Sequence, residues 1–194
     1  MSMLRKILFT SILTVGFLGC TQAPALKVYG LSVTAVSQMA HSPYRNKVLQ
    51  VSYPESLREQ MSQKMNFSYS ESDYGTYLNS EWSNHMSKLL QGTLMDVLES
   101  SKLFKAVLSD STTLHVNYRL ESDIFAFEHR VRGNASYAVV SIQFTLINAD
   151  TGRLIKSKRF NYKEATLSTN AKGYAHATNV AIAKLNRDLL NWLR

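Results

Sequence analysis

Side chains able to do chemistry are few in this 194-residue chain, and their spacing keeps them apart. His41, His85, His115, His129 and His176 form no His-x-x-x-His pair and lack carboxylates at metal-ligand spacing. His115 falls on the polar face of a predicted strand, and His85 and His176 on predicted helix surfaces, so each reads as solvated. Glu121, Asp123 and Glu128 lie near a predicted bend and also read as solvated charges. No Gly-x-Ser-x-Gly elbow presents a nucleophile. The eight glycines form no phosphate-cradling loop. Catalysis, a metal and a cofactor are therefore not expected.

One thiol remains, Cys20, and its position gives it a use. Arg5 and Lys6 precede an apolar stretch from Ile7 to Leu18, closed by Leu18-Gly19-Cys20. As a helix that stretch rises roughly 18 Å, short of the roughly 30 Å hydrocarbon core of a bilayer. A positive start, a short apolar run and a small residue before the end fit a secretory signal. The junction is similar to a bacterial lipobox, with Phe17 where Leu is usual. Such a cysteine is acylated on sulfur, palmitate being one such chain, and becomes the new N-terminus. An uncleaved anchor or an ordinary signal with a chance cysteine would be the plainer reading. The division expected is a signal peptide at 1–19, a lipidated tether at 20–26 and a single domain at 27–194. With Cys20 acylated, no disulfide or thiol chemistry is left.

The formal net charge of +8 includes Arg5 and Lys6, so the mature chain stays basic. That balance favours anionic headgroups or an acidic partner. Nucleic acid is disfavoured, because no basic-aromatic motif appears and the chain reads as exported. Lys156 and Lys158 share one strand face and could meet such a surface. They could equally blunt an exposed sheet edge. Tyr74 and Tyr77, in a predicted polar loop at 71–79, are candidate contact residues, with packing over the sheet edge as the alternative.

The elements that must position these residues follow from periodicity. Alternation predicts strands over 29–35, 49–53, 65–70 and 114–121, residues 103–108 read as a short strand, a bulge or a double-sided cover is expected past Ser122, and a turn over 130–134. Ala138, Val140, Ile142, Phe144 and Leu146 mark the next strand, and Asp150-Thr151-Gly152 turns it into another over 153–167. Trp82, Met86, Leu90, Leu94, Val97 and Leu98 recur at helical spacing, with Asn79 or Ser80 as cap. Tyr174, Thr178, Ala181, Ile182, Leu185 and Leu189 mark a last helix capped by Thr169 or Asn170. The fold class is α+β: a two-layer sandwich of a mostly antiparallel sheet with two amphipathic helices on one face.

Taken in order, these segments resemble the ABC-type transport auxiliary lipoproteins, which include PqiC-type proteins. The likeness rests on Cys20, Lys27-Val28-Tyr29-Gly30-Leu31, Val48-Leu49-Gln50-Val51 and the Tyr77–Trp82 stretch. It continues through Leu98–Val107, Tyr118–Phe127, Asp150–Ile155 and the helix reaching Trp192. The resemblance implies a non-enzymatic envelope lipoprotein partnered with an ABC permease, its ATPase and an MCE-domain protein. It further implies transport of phospholipid or other hydrophobic molecules, with docking that could take the form of a homo-oligomeric ring. Thr21, which is not Asp, implies sorting to the outer membrane, facing the periplasm. The competing expectation is a regulatory lipoprotein that activates a cell-wall synthase or an outer-membrane assembly factor.

Overall fold

A computed structural model describes residues 24–33, 35–39, 41–56 and 62–194. In chain order its elements are β1 (Lys27–Tyr29), β2 (Val48–Val51), β3 (Glu55–Ser56), β4 (Lys64–Ser68), β5 (Tyr74–Trp82) and α1 (Met86–Ser101). Then come β6 (Ala106–Ser109), β7 (Tyr118–Arg132), β8 (Ala135–Asn148), β9 (Leu154–Ala165) and α2 (Ala171–Leu193). The predicted signal and Cys20 lie outside the described residues.

Strand β7 joins the two halves of the sheet. One edge pairs antiparallel with β8 from Tyr118↔Asn148 to Arg132↔Ala135, and β8 pairs antiparallel with β9. This is the expected meander. The other edge receives β2, β3 and β4 in succession, all parallel, through Leu49↔Tyr118, Glu55↔Asp123 and Phe67↔His129. Beyond them β6 lies parallel to β2, β5 antiparallel to β4, and β1 parallel to β5. The fold is α+β as expected, with a mixed sheet, because β2, β3 and β4 all run parallel to β7.

Of the bulge or double-sided cover expected past Ser122, the sheet has a bulge, between Ile124 and Ala126 with Phe125 as the additional residue. It changes which parity is buried. Leu120 and Ile124 face the core before it, whereas Phe127, His129 and Val131 are buried after it.

Several boundaries differ from the periodicity reading. The stretch read as a loop at 71–79 is mostly β5, closed against β4 by Tyr69 N–H donating to the Asp73 carbonyl at 2.9 Å. Tyr74, Thr76 and Tyr77 are good strand formers, and Asn79 and Ser80 mimicked a helix cap. Trp82 therefore ends a strand, and α1 starts at Met86 behind His85, whose side chain makes no capping bond. Trp82 and Met86 stand four apart, so a strand end and a helix start imitated one stripe.

The first strand stops at Tyr29 because α2 captures the chain beyond it. Asn179 accepts from Ser32 N–H at 2.7 Å and donates to the Gly30 carbonyl at 3.2 Å. The strand read from 114 starts at Tyr118, and β7 runs on to Arg132 before turning at Gly133, whose φ is +57°.

Both helices bury their apolar stripes in one core. Met86, Leu90, Leu94, Val97 and Leu98 of α1 and Tyr174, Ala181, Ile182, Leu185 and Leu189 of α2 join Leu120, Ile142 and Phe144 of the sheet. At the start of α2, Asn170 Oδ1 accepts from Gly173 N–H at 3.0 Å, as an N-cap should. Gly173 must be glycine, since a Cβ there would overlap the Ser168 carbonyl oxygen.

Candidate functional site

Strand β9 pairs only with β8 among the described strands, so its outer edge is open. Its even-numbered residues face the helix layer, where Phe160 is buried and Tyr162 donates to Asp188 of α2 at 2.8 Å. Lys156 and Lys158 share that face but differ in what they touch. Lys156 Nζ donates to the Trp192 carbonyl at 2.7 Å and to that of Leu193 at 3.3 Å, and lies 5.3 Å from the Trp192 ring centroid. It closes the C-terminal end of α2, where carbonyls lack helical partners and a cation suits the dipole. Burial holds its ammonium below the usual lysine range. Lys158 is exposed, with Nζ 4.9 Å from the Phe160 ring centroid. Only Lys158 of the two is left open to a partner.

Tyr74 and Tyr77 point to opposite sides of β5. Tyr74 is 45% exposed and lines a polar groove with Ser68, Glu71, Glu128, Arg130 and Arg132. Glu128, expected to be solvated, is buried there and receives Arg130 Nη2 at 2.7 Å. Past the bulge Glu128 falls on the sheet face opposite His129, beside Tyr74.

Tyr77 points inward. Its Oη is hydrogen-bonded to His129 Nδ1 at 2.7 Å. His129 has no exposed surface, and its ring stacks on Tyr174 at 5.2 Å and 5° and on Tyr77 at 6.1 Å and 20°. Burial pushes the imidazole down to about 4 and the Tyr77 hydroxyl up to about 12. Both are neutral near pH 7. A general base works best near the operating pH and within reach of its proton, and His129 offers neither. Periodicity alone put no weight on His129. The usable signal was the bulge, which sets it in phase with Phe127 and Val131.

The remaining chemistry-bearing residues do not converge. His115 meets Asp150 at 2.8 Å on the surface, and His41, His85 and His176 are exposed. Among the described residues no group of three or more His, Cys, Asp or Glu side chains could hold a metal ion. Nor is any helix among them long and apolar enough to cross a membrane.

Two further grooves flank α2. One of about 750 Å³ runs along its outer side, lined by Val36, Met39, Val180, Lys184, Arg187 and Leu190. The other, about 540 Å³, lies where its N-terminus meets β1 and β5, and is lined by Lys27, Phe67, Tyr77, Leu78, Asn170 and Lys172.

Residues 29–189 match the family described as the ABC-type transport auxiliary lipoprotein component. No curated protein matches. Among solved structures, a Xanthomonas campestris protein assigned to DUF330 superposes with a TM-score of 0.76 at 21% identity, covering 86% of this chain and 94% of its own. An uncharacterized protein superposes at 0.67 and 17% identity, covering 88% and 99%. The hypothetical protein CT253 from Chlamydia trachomatis reaches 0.52 at 6% identity, covering 76% and 95%. At these identities the likeness is one of fold.

Proposed function

We propose, because the chain belongs to the ABC-type transport auxiliary lipoprotein family, that it is a non-enzymatic accessory component holding an envelope transport complex together. Its partners are an ABC permease with its ATPase and an MCE-domain protein, and its cargo is phospholipid or another hydrophobic molecule. Acyl chains on Cys20 attach it to the outer membrane facing the periplasm, the side and membrane that Thr21 favours over Asp. Several buried chains, each methylene contributing about 0.8 kcal/mol, make that attachment stable.

One observation carries this reading: the family match spans residues 29–189, nearly all of the globular body, and that body uses its buried polar groups for packing. His129 is locked neutral between two tyrosines, Glu128 is paired with Arg130, and Lys156 closes a helix. What is left to act is surface. Tyr74, Lys158 and the open β9 edge are where a partner, or a second copy in a ring, would dock.

Extraction in mild detergent followed by affinity purification and mass spectrometry tests the assignment. An MCE-domain protein and permease in the eluate support it. A penicillin-binding protein without transport components would overturn it in favour of cell-wall regulation.

A further inference from the structure

The two most exposed large apolar side chains of the described residues are Leu78, 91% exposed, and Leu167, 85% exposed. Both stand at one end of the molecule. Leu78 lines the groove shared with Asn170 and Lys172 at the start of α2, and Leu167 lies three residues before the Asn170 cap. That end is where β7 passes into β8 and β9 passes into α2.

The chain also enters there. β1 runs parallel to β5 with Lys27 opposite Ser80, so Leu26, itself 54% exposed, precedes that pair on the side where Leu78 precedes Ser80. Residues 21–26 span at most roughly 20 Å when fully extended. An anchor at Cys20 therefore keeps Leu26, and the end from which β1 runs, close to a bilayer. The opposite end of β7 carries the Asp150–Gly152 turn and the closed C-terminus of α2.

We propose that this end is a bilayer-seating surface: Leu26, Leu78 and Leu167 enter the headgroup boundary of an anionic phospholipid membrane, with Lys27 and Lys172 beside the phosphates. The inference rests on the reading of Cys20 as the lipidated residue and adds the orientation that the anchor alone does not set. Apolar side chains ringed by lysines suit the interface, where aliphatic tips are buried and ammonium groups stay hydrated. Tyr69, 54% exposed in the β4–β5 hairpin at this end and packed on Phe67 of the Leu78 groove, adds an amphipathic ring of the kind that favours the headgroup level. Glu71 lines the Tyr74 groove rather than the one beside Leu78, and Asp73 is exposed in the same hairpin. Glu71 thereby places the lysine-lined side nearer the lipid.

The test uses the full lipidated protein in vesicles of phosphatidylcholine and phosphatidylglycerol containing brominated lipid. Because the Cys20 sulfur is acylated, Leu78→Cys or Leu167→Cys supplies the one thiol for an environment-sensitive fluorophore. Leu114→Cys and Leu154→Cys, exposed at the opposite end, are the controls. The expected result is blue-shifted, strongly quenched emission at 78 and 167, with unshifted, unquenched emission at 114 and 154. Vesicle-bound protein with no quenching at 78 and 167, or with equal quenching at all four positions, would overturn the seating surface and leave the anchor standing. Protein that fails to float with the vesicles would overturn the anchor and the surface together.

Discussion

Tyr77 Oη and His129 Nδ1 are hydrogen-bonded at 2.7 Å across the β4–β5 arm and the long strand β7, and the bond sits inside the aromatic layer under α2. It ties the part of the sheet nearest the tether to the part that carries the helices. Removing one partner leaves the other buried and unpaired, which costs about 1–3 kcal/mol. Tyr77→Phe should therefore lower the free energy of urea unfolding by that amount, while Tyr74→Phe changes it little.

The same histidine makes stability depend on pH. Burial pushes His129 down to about 4, whereas an unfolded histidine titrates near about 6.5. Between those values the unfolded chain binds a proton that the folded chain refuses, so stability is full above the upper value and falls as pH drops. The slope from this one group reaches at most roughly 1.4 kcal/mol per pH unit. Thermal melts should show a shallower slope over this window in a Tyr77→Phe, His129→Phe double variant, which removes the titration together with its partner.

Lys156 and Lys158 should separate cleanly. Lys156→Met removes two bonds to the last carbonyls of α2 and should cost about 1 kcal/mol. Lys158→Ala should leave stability within about 0.5 kcal/mol, as exposed substitutions do. Denaturant midpoints of the two variants check this. In detergent co-purification the order reverses: Lys158→Glu weakens partner recovery and Lys156→Met does not.

At the start of α2, Gly173→Ala should be more damaging than Asn170→Ala. The cap substitution loses one side-chain bond, about 1 kcal/mol. The added Cβ at 173 meets the Ser168 carbonyl and forces the β9–α2 loop to move. Calorimetric melting temperatures should rank the two in that order.

How far the sequence carried this fold depends on whether local pattern and tertiary pairing agree. β8, the Asp150–Gly152 turn and α2 were legible because alternation, turn residues and cap all point one way. The bulge was legible from the apolar run after Ser122. Strand β5 was not, because Asn79, Ser80 and the Trp82–Met86 spacing imitate a capped helix, and only the pairing of Ser68 with Tyr74 reveals the hairpin. The parallel arrival of β2, β3 and β4 on β7 leaves no local signature at all. At the surface, Tyr74 and Lys158 were readable as exposed. Tyr77 and Lys156 were not readable as half-buried, hydrogen-bonded side chains, since their partners lie 52 and 36 residues away.

The account turns on Cys20, and intact-mass analysis of the native protein extracted from membranes addresses it most directly. The predicted species begins at Cys20 and carries the added mass of acyl chains, and a Cys20→Ala variant moves to the soluble fraction. A species that begins at Met1, or one with a free thiol at residue 20, would contradict the account.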